Sequence, residues 1–114
     1  AYLINRLHMQ FQKYNILITN TDFQVTLSNL SERALIYLDP PYYNEGKHLY
    51  QVSMTVRQHQ DLAKYLKSSK HVWLLSYDDC PEIRKLYSWA AIEEYPVKYG
   101  SSKKNKVELL ITRK

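Results

Sequence analysis

With 114 residues, 45% of them hydrophobic and 24% charged, the chain is one domain at most, with enough apolar content for a core. No apolar run approaches the ~18–20 residues that cross a bilayer, no secretory leader is expected, and the single cysteine, Cys80, excludes an internal disulfide or a cysteine-built metal cluster. The formal net charge is +5, and all of the excess lies near the end, where Lys98, Lys103, Lys104, Lys106, Arg113 and Lys114 face Glu108 alone.

In chain order, Leu3, Ile4, Leu7, Phe11 and Tyr14 recur at helical spacing, so a helix is predicted over Tyr2 to Tyr14. Ile16-Leu17-Ile18-Thr19 reads as a short strand. Asn20-Thr21-Asp22 is a helix cap opening a short helix over Phe23 to Leu30. Ala34 to Leu38 is apolar throughout, as in a parallel strand covered on both faces. It stops at Asp39-Pro40-Pro41, where two successive residues offer no ladder donor. Tyr43 to Val52 is a loop. Ser53 or Thr55 caps a helix over Val56 to Lys67, with His59, Leu62, Ala63 and Leu66 on one face. Val72 to Ser76 is a second buried strand, and Asp79-Cys80-Pro81-Glu82 has capping-box spacing ahead of a helix through Tyr87. Ile92 to Tyr99 and Val107 to Thr112 flank Gly100-Ser101-Ser102 and form an antiparallel hairpin. The order is that of an α/β domain with a mostly parallel sheet, a half-sized doubly wound fold ending in a hairpin.

Only two glycines occur, Gly46 and Gly100, so neither a dinucleotide fingerprint nor a P-loop can be written with these residues. His8, His48, His59 and His71 show no ligand spacing and read as surface or helix-face residues. The composition suits a cytosolic protein. The basic end reads either as a solvated hairpin or as a phosphate-contacting edge in which Lys103, Lys104 and Lys106 hold DNA.

Asp39-Pro40-Pro41-Tyr42 carries the chemistry. Loops leaving the carboxyl ends of strands are where open α/β sheets bind ligands, and two prolines fix the backbone there. A carboxylate and the Pro40 carbonyl can together accept both hydrogens of an exocyclic amine and free its lone pair for an electrophilic methyl group. The base must first leave the duplex, and the Tyr42 ring can replace the lost stacking, worth roughly 1–3 kcal/mol per base.

These residues resemble the bacterial and phage DNA adenine methyltransferases that act on short palindromic sites with S-adenosylmethionine. Asn20-Thr21-Asp22-Phe23 is similar to the family's cofactor-lining Asn-x-Asp-Phe segment, and Tyr37 to Tyr43 to its strand and catalytic loop. Leu75 to Asp79, followed by Pro81-Glu82-Ile83, resembles the next strand end and helix, and Lys106 to Ile111 the closing strand. The resemblance implies that Asp39 and Pro40 bind the target amine, Pro41 holds the turn, and Tyr42 stacks on a flipped adenine. It also implies that Asp22 and Phe23 flank the cofactor's adenine and that Asp39 lies near its methionine end. Asp22 also reads as an ordinary cap and Phe23 as a core aromatic. Tyr50 reads equally as a cofactor-closing residue or a surface tyrosine, and Asp79, explained as a cap, is left out of the site.

The family's N-terminal glycine segment, the strand that lies beside the Asp-Pro-Pro-Tyr strand, and the sequence-reading module are not written in these residues. The expectation is therefore a partial Rossmann-like methyltransferase sheet without its N-terminal strands. Residues 1–15 would be the tail of the recognition module and residues 16–114 the C-terminal part of the catalytic domain. Such a fragment, inactive by itself, is expected to leave a long apolar edge and so to repack, self-associate or be unstable. The alternatives are an amino-methyltransferase acting on cytosine or protein glutamine, and a non-catalytic nucleic-acid-binding remnant.

Overall fold

The computed structural model describes residues 2–30, 32–44, 53–98 and 105–114. In chain order these form α1 (Tyr2–Lys13), α2 (Phe23–Ser28), β1 (Leu35–Leu38), α3 (Val56–Ser68), β2 (Val72–Asp78), α4 (Pro81–Leu86), β3 (Ala91–Lys98) and β4 (Asn105–Thr112). The four described strands make one sheet in the order β1-β2-β4-β3. β1 runs parallel to β2, with Leu38 level with Leu75, while β4 inserts antiparallel between β2 and β3. The sheet is thus mixed, with one parallel pair rather than the mostly parallel set expected. The C-terminal hairpin forms as predicted but folds back so that its second strand pairs with β2.

The predicted strand at Ile16 to Thr19 does not form. Leu17 and Ile18 are exposed, and no described strand pairs with them. A short apolar run has strand propensity only where a partner backbone and a packed face are present. The helix before it forms as predicted, yet α1 buries none of its residues.

Register and burial separate the two faces of the sheet. Ile36, Trp73, Leu75, Tyr77, Leu109 and Ile111 share one face and are buried in a single cluster with Leu62, Ala63 and Leu66 of α3 and Ile83 of α4. Leu27 of α2 joins that cluster, and the Tyr65 hydroxyl of α3 donates to the Leu27 carbonyl. On the opposite face Leu35 and Tyr37 stay 78% and 63% exposed. The described residues therefore show one helical layer against the sheet.

Local chemistry sets the helix ends. Thr55 caps α3, accepting from the Gln58 amide at 3.2 Å, while Gln58 Oε1 accepts the Thr55 amide at 2.8 Å. Such a reciprocal cap contributes about 1 kcal/mol. At α4 the expected capping box is replaced. Cys80 is the N-cap, without a side-chain bond to the helix, and Pro81 supplies the pre-set φ at the first turn. Asp79 turns instead to Arg84, which donates to both its oxygens at 2.6 and 2.9 Å and also reaches Glu94. A bidentate guanidinium satisfies a carboxylate better than one backbone amide does.

Those bonds from Arg84 hold the Asp79 carboxyl below the ordinary carboxylate range. A carboxylate with a lowered folded-state value contributes stability above the unfolded value and loses it as pH falls through the folded one. Arg84→Ala is therefore expected to lower the melting temperature at neutral pH. The gap from wild type should narrow as pH drops below about 4, measured by thermal melts across an acid series.

Burial pushes the Cys80 thiol up to about 11, so it is a small apolar group at neutral pH. The Tyr87 hydroxyl is buried without a hydrogen-bond partner among the described residues, and burial raises it far above a free phenol. Removing an unmet donor relieves its desolvation cost. Tyr87→Phe is expected to leave stability unchanged or raise it by about 1 kcal/mol, read from urea denaturation.

Candidate active site

Asp39 lies one residue beyond β1, at its carboxyl end, level with Ser76 in the register of the parallel pair. Both fall on the sheet face that carries Tyr37. The Ser76 hydroxyl donates to Asp39 Oδ1 at 2.9 Å, which orients the carboxylate. Asp39 is itself exposed, and among the described residues no second group bonds to it, so Oδ2 is open to an incoming donor. The strand thus supplies an anchored carboxylate at the sheet's rim, one oxygen held by protein and one presented.

Tyr42 and Tyr43 leave in opposite directions. The Tyr42 hydroxyl donates to Glu108 Oε1 on β4 at 2.5 Å, on the Ser76 face. The Tyr43 ring lies 5.0 Å from the His59 ring, on the helical side, and His59 Nδ1 shares a 2.6 Å hydrogen bond with the buried Tyr77 hydroxyl. The backbone between them is tied to β2, where Asp78 Oδ1 and Oδ2 accept the amides of Tyr43 and Asn44 at 2.8 and 3.0 Å. Two prolines precede this stretch, so Asp39 to Asn44 is fixed covalently at one end and by a carboxylate at the other.

Among the described residues several cavities border it, and two of them bear on the loop's acidic groups. One of about 330 Å³ is lined by Phe23, Asp39, Pro40, Pro41, Met54 and Leu62, among others. Apolar walls beside a single carboxylate suit a flat aromatic group bearing hydroxyls, the character of an adenosine. Phe23, expected to flank a cofactor's adenine, thus shares a cavity with Asp39, Pro40 and Pro41, whereas Asp22, given the same role, does not line it. Its side chain accepts from the Gln24 amide at 2.8 Å and caps α2. The second cavity, about 430 Å³, is lined by Tyr42, Asn44, Asp78, Asp79, Lys106 and Glu108, among others.

Of the three lysines expected to contact DNA, Lys106 is exposed on β4 and lines this second cavity. Lys103 and Lys104 lie outside the described residues, as do Tyr50 and His48. Among the described residues no group of His, Cys, Asp and Glu side chains is placed to hold a metal, and no helix is long and apolar enough to cross a membrane.

A family model described as the D12 class N6 adenine-specific DNA methyltransferase matches residues 3–100. The chain belongs to this family. The match takes in α1, the Asp-Pro-Pro-Tyr loop and the helices behind it, and stops in the C-terminal hairpin. No curated protein matches the chain at a significant level.

Three residues that hydrogen-bond the Asp-Pro-Pro-Tyr loop were missed in the sequence. Ser76 and Asp78 carried a signal, because they are polar at alternate positions of an otherwise apolar strand and so share one face at its carboxyl end. Glu108 is the lone acid in the basic C-terminal stretch, and it is nearly buried.

Proposed function

We infer that this chain carries the acceptor half of a DNA adenine methyltransferase site, using S-adenosylmethionine to methylate the exocyclic amine of an adenine flipped out of double-stranded DNA. The observation that carries the reading is the Asp39 carboxylate, fixed by Ser76 through one oxygen and open at the other, at the start of the Pro-Pro-Tyr turn. When bound, S-adenosylmethionine supplies a methyl group made electrophilic by its sulfonium sulfur, and Phe23, Pro40, Pro41 and Asp39 would hold it.

The chain's own groups act on the base. Asp39 and the Pro40 carbonyl accept the two amine hydrogens, which draws the nitrogen lone pair out of the ring and aims it. Pro41 keeps the turn rigid, and Tyr42 stacks on the base. No separate general base is needed, because the methylated nitrogen carries positive charge and already shares a hydrogen with Asp39. Placement and a preorganised carboxylate supply most of the acceleration. Lys106, with Lys103 and Lys104, would contact phosphates, a salt-sensitive and sequence-independent attraction.

Residues 16–114 are read as the C-terminal part of the catalytic domain and residues 1–15 as the tail of the recognition module, in keeping with an α1 that shares no core with the rest. The exposed apolar face of α1, the exposed Leu17 and Ile18, and Leu35 and Tyr37 on the sheet support a chain that works against further polypeptide or a second copy of itself. A monodisperse monomer in sedimentation with a normal melting transition would oppose that part of the reading.

The function is tested by transferring an isotope-labelled methyl group from S-adenosylmethionine and digesting the products. Label in N6-methyladenine supports the reading, and label in N4-methylcytosine or in protein glutamine overturns it. Absence of calorimetric binding and of thermal protection by S-adenosylmethionine would favour a nucleic-acid-binding remnant.

A further inference from the structure

We propose that Asp78 and Glu108 are a pair of positioning residues that clamp the Asp-Pro-Pro-Tyr loop and set the direction in which the Tyr42 ring points. The two acids sit directly opposite each other on β2 and β4, on one face of the sheet, and both are more than nine-tenths buried. Like charges opposed across an antiparallel pair repel, and buried carboxylates need hydrogen bonds to persist. Both needs are met by the same short segment. Asp78 takes the amides of Tyr43 and Asn44, and Glu108 takes the hydroxyls of Tyr42 and, from β3, Tyr95.

The consequence for Tyr42 follows from where it is held. Pro41 restrains the backbone before the ring and Glu108 holds its hydroxyl end, so the rotamer and the direction of the ring axis are set before any base arrives. A stacking surface preset in this way loses no rotamer freedom when the base is captured. Tyr95 occupies the second oxygen of Glu108, which prevents the carboxylate from rotating away. The clamp lies on three strands, and the group it positions lies on the loop after the fourth. This inference rests on the proposed adenine methylation for its kinetic consequence, though the clamp itself does not.

The test compares Tyr42→Phe, Glu108→Gln, Glu108→Ala and the double variant Tyr42→Phe/Glu108→Ala. Under single turnover, Glu108→Ala should slow methyl transfer by about 10- to 100-fold, or about 1.4–2.7 kcal/mol, with KM for S-adenosylmethionine unchanged. Tyr42→Phe keeps the ring but loses its hydroxyl and should fall in the same range. The double variant should be no slower than the worse single one, because both remove the same tie. Glu108→Gln retains an acceptor oxygen and should recover most of the rate.

Multiplying effects in the double variant, or an unchanged rate in Glu108→Ala, would overturn the proposal. A second readout needs no activity. The ring-carbon NMR signal of isotope-labelled Tyr42, assigned by its loss in Tyr42→Phe, should shift in Glu108→Ala, and an unmoved signal overturns the clamp. If the labelled methyl group goes to cytosine or protein glutamine while that signal does shift, the adenine methyltransferase reading fails and the clamp stands.

Discussion

Replacing Asp39 with alanine is expected to lower methylation of an adenine-containing oligonucleotide by about a hundred- to a thousandfold, while affinity for DNA changes little. The size follows from what is removed. A preorganised group aimed at the atom that reacts contributes roughly this factor where single such groups have been deleted from other enzymes. The loss should appear in the transfer step, because the amine would keep at most the Pro40 carbonyl as acceptor and its lone pair would stay conjugated with the ring. DNA affinity is set mainly by phosphate contacts, and Asp39 is an exposed acid at the rim that offers a phosphate nothing. Stability should also hold, since the carboxylate is exposed and its one described partner, Ser76, can turn to the Leu38 carbonyl at 3.4 Å. Single-turnover transfer alongside fluorescence anisotropy with labelled DNA measures both halves. Retained activity would remove Asp39 from the mechanism.

Trp73→Ala is expected to unfold the domain or destabilise it by about 3–5 kcal/mol. Trp73 is 2% exposed on β2 and packs edge-on to Trp89 with ring centroids 5.8 Å apart. Aromatic pairs of this geometry contribute about 0.5–1.5 kcal/mol beyond the area they bury. Its ring nitrogen is buried without a partner among the described residues, which offsets part of that gain. A domain stable by about 5–15 kcal/mol, whose described residues put one helical layer on its sheet, has little reserve against such a cavity. Urea denaturation should show the lowered midpoint, and a fall of less than 1 kcal/mol would mean the core repacks around the gap.

Periodicity and punctuation found α1, α2, α3 and the hairpin, because each is defined by local spacing and by a cap or turn written beside it. Asp22, Thr55 and Pro81 sit where the helices begin for reasons visible in their neighbours. The failures are of another kind. Ile16 to Thr19 has the composition of a strand, but a strand is a relation between two backbones, and no local residue says whether the second one is present. The capping box at Asp79 matched a pattern, yet Arg84 lies five residues on and offers both oxygens a partner. A sequence pattern cannot rank a local bond against a stronger one brought in by the helix turn.

The sequence by itself determined a carboxylate held in a two-proline turn after an apolar strand, Asp39-Pro40-Pro41-Tyr42, and with the segments around it the resemblance to the family that the family model shows. Only the tertiary structure decided how that loop is held. Ser76, Asp78 and Glu108 are separated from the loop residues they hold by more than thirty positions in the chain. They meet them because β1 pairs with β2, which brings Ser76 and Asp78 beside the loop, and because β4 inserts between β2 and β3 and carries Glu108 opposite Asp78. Strand order is fixed by which apolar faces can be buried together, a property of the assembled sheet that no single segment contains.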